Sequence, residues 1–528
     1  MNYDYQEIEM PTKGVSINKS RTGIPYVYHI GKGYRNEHGK PTSKKILIGK
    51  LNPISKKLIP NKRYFELYTD EPIRVQTAAA QVQCIQDFGH YYLLDAIANQ
   101  YQLPRILNNI FGEQSDDILL LAIYTAIEGN VAYYCEDWCE NTFTFTQRRL
   151  TTQMISRLLQ SITEEKKQAF FKAWRYAQAP HEYLAYDVTS ISSYSQSHDY
   201  VEYGYNRDHE SLPQINLAMF YGEESRLPIY YASYPGSIPD KTHFAYMMKE
   251  AKRMGMQKTK FVMDGGFYAE KNIDLLLTQQ HTFIMGIPSH MKICIKLRKE
   301  NKSVITKAQY RLQTHNIQAM RFPCYEYTRL TYIHMFYSSE KASLQESNFY
   351  QYLDKLEKAL KEGETPKGYE TYFHCEKKQN DSFEVSRNFD AIDEKLASFG
   401  YFFILTSDEA LHSSDVISIY RNKDVIEKNF DNLKNAVDAK RLRTHSLQAT
   451  EGKLFISFLA LILRSHLMNV SKTWLHSQSA SLDKLLWELR KIKVAKIGHS
   501  YLHNPLTKKQ KDILALFGLA EKDILDCI

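Results

Sequence analysis

The 528-residue sequence predicts an α/β protein built around one mixed sheet, and three observations carry that prediction. Between residues 181 and 287, three strand-like runs are followed by helix, strand, helix and strand. That order belongs to a sheet whose first three strands are antiparallel and whose later strands are joined by crossovers. Two aspartates, Asp187 and Asp264, fall on strands that such a sheet brings side by side. A charged helical pattern, YRNKDVIEKNFDNLK from Tyr420 to Lys434, follows a last strand-like run and carries an apolar stripe for packing.

The elements come in this order. From about 18 to 75, GIPYVYHIGKGYRNEHGKPTSKKILIGKL alternates apolar and polar residues around a turn at Asn36 to Gly39, as a small β module does. Gly31 and Gly33 resemble the start of a phosphate loop, but Asn36 and the lack of a following helix argue against a nucleotide site. Lys32, Arg35, Lys40, Lys44, Lys45 and Lys50 make the module basic, which fits a solvated hairpin face or a DNA contact equally well. Residues 76–178 switch to helical periodicity in YYLLDAIANQ, DDILLLAIYTAI and MISRLLQSI, with Thr151 or Thr152 placed to cap the last.

The core pattern follows. HEYLAYDVTSIS, QINLAMFYGE and LPIYYASYP read as a meander, a helix begins near Asp240, and KTKFVMD ends as a buried strand at Asp264. A helix from about Tyr268 to Gln279 and the strand TFIMGIP complete the unit. Lysine-rich mixed patterns over 288–398 read as an insertion, after which YFFILTSD resumes as a strand and DVISIYRNKDVIEKNFDNLKN as a helix. The chain therefore divides into a basic β-rich module at 1–75 and a helical module at 76–178. The core falls in two parts, 179–287 and 399–472, around an inserted β-rich subdomain at 288–398, and C-terminal helices occupy 473–528.

Composition narrows the function classes. A net charge of +8 on 68 basic and 60 acidic residues permits a polyanionic partner without requiring one. Seven scattered cysteines favour a reducing compartment, and the Cys135–Cys139 pair lacks the second pair a zinc site needs. MNYDYQEIEMPTKG has no apolar signal core. The longest apolar run, Leu454 to Leu463, is much shorter than the ~20 residues of a membrane span and reads as a buried helix. A cytoplasmic protein with no membrane partner is expected.

Two features carry chemistry. If the strand after the first helix returns beside the first strand, Asp187 and Asp264 reach one edge, and the helix bearing Glu427 closes over them. Three carboxylates that cannot neutralise one another repel unless they bind cations, and hard oxygen donors suit Mg²⁺. Within the 420–434 helix, Tyr420, Lys423, Glu427 and Lys434 fall in an arc of about 60°, beside the apolar stripe of Ile426, Phe430, Leu433 and Val437. Asp208 reads as a hydrated loop residue or a support for the metal site, and Asp240 as a helix cap.

YDVTSIS, GYNRDHESLPQINLAMF, VMDGGFYAEKNI and the 420–434 helix together resemble a DDE transposase of a bacterial insertion sequence, over roughly residues 180–470. One branch of that family has a third motif of Tyr, two residues, Arg, three residues, Glu, six residues, Lys. This chain matches at Tyr420, Glu427 and Lys434 and has Lys423 in place of the Arg. The resemblance implies an RNase H-like catalytic core in which Asp187, Asp264 and Glu427 hold two Mg²⁺ ions, with Mn²⁺ as a substitute. Tyr420, Lys423 and Lys434 would contact the phosphates of the transposon ends. It also implies binding to double-stranded DNA at terminal inverted repeats and target sites, with a DNA-end-binding role for residues 18–178 and their helical module at 76–178, a homodimer pairing two ends, cut-and-paste strand cleavage and transfer, and a bacterial nucleoid location. A structure-specific nuclease on the same core and a non-catalytic DNA-binding derivative remain the alternatives.

Overall fold

The computed structural model of the chain describes residues 7–20, 24–68, 82–129, 131–178, 182–195, 199–256, 258–377, 383–437, 440–444, 446–498 and 500–527. The expected boundaries at 75 and near 179 lie outside these residues. Two compact units form, one of residues 1–85 with 495–502 and one of 86–494 with 503–528.

In the first unit, strands Val15–Lys19, Pro25–Arg35, Pro41–Leu51 and Leu58–Pro60 make an antiparallel sheet in chain order. The turn lies where the sequence places it, with the Asn36 carboxamide accepting from the His38 and Lys40 amides at 3.1 and 3.0 Å. Gly31 and Gly33 sit inside a strand, not a phosphate loop. Val27, Ile48 and Leu58 form a small core against the helix Lys62–Tyr68, while all six named basic residues are exposed.

The second unit is organised by a ten-stranded sheet. Its first three strands, Tyr183–Ser193, Gln214–Gly222 and Pro228–Pro235, form the expected antiparallel meander. The fourth, Lys260–Met263, returns through the helix Asp240–Arg253 to pair parallel with the first, aligning Tyr186 with Met263. The fifth, Thr282–Ile287, lies parallel to the fourth. Burial is almost continuous along these strands because both faces are covered.

The inserted segment differs from the expectation. Strand Tyr401–Thr406 lies antiparallel to the fifth strand, and on its far side come Thr331–Tyr337, Ile317–Cys324 and Arg311–Leu312, all from 288–398. The far edge of strand Tyr401–Thr406 offers unpaired backbone groups, and part of the insertion extends the sheet outward from there. The remainder has its own core, in which Phe349, Leu353, Leu356 and Leu360 of helix Ser339–Lys361 pack with Phe373 and Ile392 beside the hairpin Phe373–Lys377 and Phe383–Arg387.

Helix Leu447–Ser477 is longer than the apolar run inside it. It is long and apolar enough to span a bilayer, yet its most apolar window is 83% buried within the protein. Helix Thr152–Ser161 is capped as read, the Thr151 hydroxyl accepting from the Met154 amide at 3.3 Å. Asp240 does not cap its helix. The N-cap is Pro239, and the Asp240 carboxylate is engaged by Arg207 and by the Tyr234 hydroxyl at 2.7 Å.

Candidate active site

Parallel pairing of the first and fourth strands decides where the acids stand. Asp187 follows Tyr186 on the first strand and Asp264 follows Met263 on the fourth, and Tyr186 and Met263 are register partners. The two aspartates therefore sit at one level of neighbouring strands. Asp264 lies just past the strand end, where the chain turns into the short helical turn Gly265–Phe267, so its side chain is 57% exposed. Asp187 remains within the strand, half-buried, and accepts from the Val188 amide at 2.8 Å. Burial pushes its carboxyl up to about 6, helped by the Asp264 charge and opposed by that hydrogen bond and by the charges of Arg207 and Lys423.

The third motif meets this edge, though not as one helix. Helix Ser413–Asn422 ends at Lys423, helix Asp424–Asp431 follows, and a wide π turn covers Asn432–Ala436. Ile426, Phe430, Leu433 and Val437 are all buried, as their spacing predicts, and pin the segment to the core. The break and the wide turn divide the expected quartet. Tyr420 donates its hydroxyl to Asp264 Oδ1 at 2.9 Å, and Lys423 Nζ stands 3.9 Å from Asp264 and 3.4 Å from Glu427 Oε1. Lys434 goes elsewhere: its ammonium donates to both oxygens of Asp208 at 2.8 Å and is only 9% exposed. Asp208 is thus an ion-pair partner and not a hydrated loop residue.

The electrostatics of the cluster are uneven. Asp264 and Glu427, 57% and 59% exposed, converge on one ammonium that is itself 13% exposed. Lys423 also lies over the Tyr420 ring, 5.4 Å from its centroid. Burial, the Asp264 charge and their hydrogen bond hold the Tyr420 phenol well above its ordinary range, so it keeps its proton and donates a hydrogen bond to Asp264. The donor set is hard oxygen, and two of its carboxylates already share one cation, which fits a divalent ion of the magnesium class. No three His, Cys, Asp or Glu side chains among the described residues stand close enough to enclose a metal as they are.

Sequence reasoning missed the residue that makes room for this contact. A β-carbon on Gly286, in the fifth strand, would lie 2.6 Å from the Tyr420 hydroxyl and 2.9 Å from the Gly265 amide nitrogen. The available signal was a glycine inside a strand pattern, a mark of close backbone approach. Also missed was the brace behind Asp187, where Arg207 reaches Ser190 Oγ at 3.4 Å and pairs with Asp240.

A family model described as a transposase DDE domain matches residues 178–463, more than half of the chain. No curated protein matches it. Among solved structures, the piggyBac transposase in a synaptic complex with hairpin DNA is similar at 10% sequence identity, covering 83% of this chain and 84% of that one. Its TM-score is 0.35, too low to carry an argument about this chain.

Proposed function

The chain belongs to the transposase DDE-domain family, and on that premise we propose a DNA transposase that binds terminal inverted repeats and carries out metal-dependent strand cleavage and strand transfer of the cut-and-paste type. Asp187, Asp264 and Glu427 are its catalytic carboxylates. One observation supports this most: residues from two separated segments, Tyr420 and Lys423 with Glu427 from the third motif and Asp264 from the sheet, meet through the contacts given above, on the strand next to that of Asp187. We read the five-strand order, with its antiparallel meander and two parallel additions, as an RNase H-like core.

In this reading Asp187, Asp264 and Glu427 would hold two Mg²⁺ ions, or Mn²⁺ in their place. Bound ions of that kind activate a water or a 3′-hydroxyl and steady the leaving oxygen in phosphodiester chemistry. Tyr420 fixes the Asp264 carboxylate so that it presents a defined lone pair, with Gly286 leaving the room required. Lys423 neutralises the acids at rest and offers its charge to a DNA phosphate on substrate binding. As a lysine it does so as a point charge, without the bidentate fork an arginine brings. Lys434, held by Asp208, fixes the end of the motif beside the phosphate path. A homodimer pairing two DNA ends in a bacterial cytoplasm completes the proposal.

The test is a labelled duplex carrying the DNA that flanks the gene, incubated with Mg²⁺ and wild type, Asp187→Ala or Glu427→Ala. Cleavage at one defined phosphate, lost in both variants and followed by joined products, is the expected result. Cleavage without joining would replace transposition with a plain nuclease, and binding without cleavage by all three proteins would sink the catalytic reading.

A further inference from the structure

We infer that Tyr203 and Tyr205 form a stacking platform for unpaired DNA bases beside the catalytic edge. The inference rests on the proposed function only for the identity of the nucleic acid and is tested separately from it.

The two tyrosines, two residues apart, are each 74% exposed. Gly204 between them faces the protein, since a β-carbon there would lie 1.9 Å from the Gly236 carbonyl oxygen. Alternation along an extended chain then turns the side chains of 203 and 205 the other way, into solvent. The backbone that mounts them is tied down. Glu202 and Gln214 exchange backbone hydrogen bonds at 3.1 and 2.9 Å, the Gly236 amide donates to the Tyr200 carbonyl at 3.2 Å, and Gln214 Nε2 donates to the Tyr205 carbonyl at 2.9 Å. Two apolar rings held in water on a braced segment are preorganised for a partner, because little further ordering is required on binding.

Place and charge select the partner. Two residues beyond Tyr205 is Arg207, paired with Asp240 and 3.4 Å from Ser190 Oγ on the strand of Asp187, and next comes Asp208, the partner of Lys434. The same loop ends at Glu210, where one carboxylate is shared by Lys440 at 3.3 Å and Arg441 at 3.0 Å, leaving a surplus positive charge. The Arg441 guanidinium also lies over the ring of exposed Tyr194, 5.3 Å from its centroid. Exposed rings interleaved with cations are how single strands are held without sequence readout, because every base offers a π face. A paired duplex keeps its base faces covered, so the occupant is a strand whose bases are unstacked near the phosphate under attack.

The experiment compares a blunt duplex with the same duplex bearing a four-nucleotide single-stranded tail that contains 2-aminopurine. Wild type is expected to bind the tailed duplex roughly tenfold or more tightly than the blunt one and to quench the fluorophore. The double variant Tyr203→Ala, Tyr205→Ala loses both the preference and the quenching, whereas Tyr203→Phe, Tyr205→Phe, which keeps the rings, retains them. No tail preference in wild type, or an alanine double variant that keeps it, would overturn the platform. Cleavage of gene-flanking DNA is a separate readout: its absence with the tail preference intact would remove the proposed function and leave the platform standing.

Discussion

Two lysines of the same motif end in opposite environments, and the contrast separates chemistry from scaffolding. Lys434 is matched one to one with Asp208, both carboxylate oxygens used and the ammonium nearly sealed from water. Lys423 is shared, at longer distances, among carboxylates more than half exposed to solvent. A buried, saturated pair resists exchange, because removing either partner leaves a charge without compensation. An over-shared ammonium whose acids stand in solvent leaves those acids with unused lone pairs and room for another cation. The open end of the motif is where an ion and a phosphate have reason to bind.

Breaking the open end first should give the largest effect. Glu427→Ala or Asp264→Ala is expected to lower DNA cleavage by about a thousandfold or more while leaving the melting temperature within a degree or two, since both side chains are mainly in solvent. A comparable fall in melting temperature would show these acids to be structural after all. Gly286→Ala follows, with about 1–3 kcal/mol of overpacking against Tyr420 and the Gly265 backbone and cleavage reduced roughly tenfold or more. Urea denaturation and single-turnover rates measure the two parts. Unchanged rates would show that the Tyr420–Asp264 contact is dispensable.

The closed end should behave the other way round. Asp208→Ala strands Lys434 and is expected to destabilise the protein by about 2–3 kcal/mol, whereas Lys423→Ala costs less than about 1 kcal/mol. Equal losses in calorimetry would erase the distinction drawn here.

What the sequence made legible follows these environments. Asp187, Asp264 and the Ile426, Phe430, Leu433 and Val437 stripe were readable because strand order and helical period are local signals. The parting of Lys434 from Lys423 was not, because a π turn changes the angular position of everything after it and leaves no mark in composition. Asp208 and Lys434 are 226 residues apart, so their pairing has no local signature. The strands Ile317–Cys324 and Thr331–Tyr337 were seen as an insertion for a similar reason: alternation shows a strand but not the edge it joins.

The last predicted effect concerns Asp187 and is read from pH dependence. Its folded carboxyl titrates near 6, above the unfolded range near 4, so the native state retains a proton that the unfolded chain releases between those values. Stability contributed by this group is therefore present at low pH and falls as pH rises through 4 to 6. Stability profiles of wild type and Asp187→Asn should diverge in that window, and parallel profiles would place Asp187 in water.

Manganese titration by calorimetry tests the central claim most directly. Wild type and Asp208→Ala should bind the ion alike, and Asp264→Ala and Glu427→Ala should lose that binding. If the two active-site variants bind manganese as wild type does, the carboxylates around Lys423 are not the metal site.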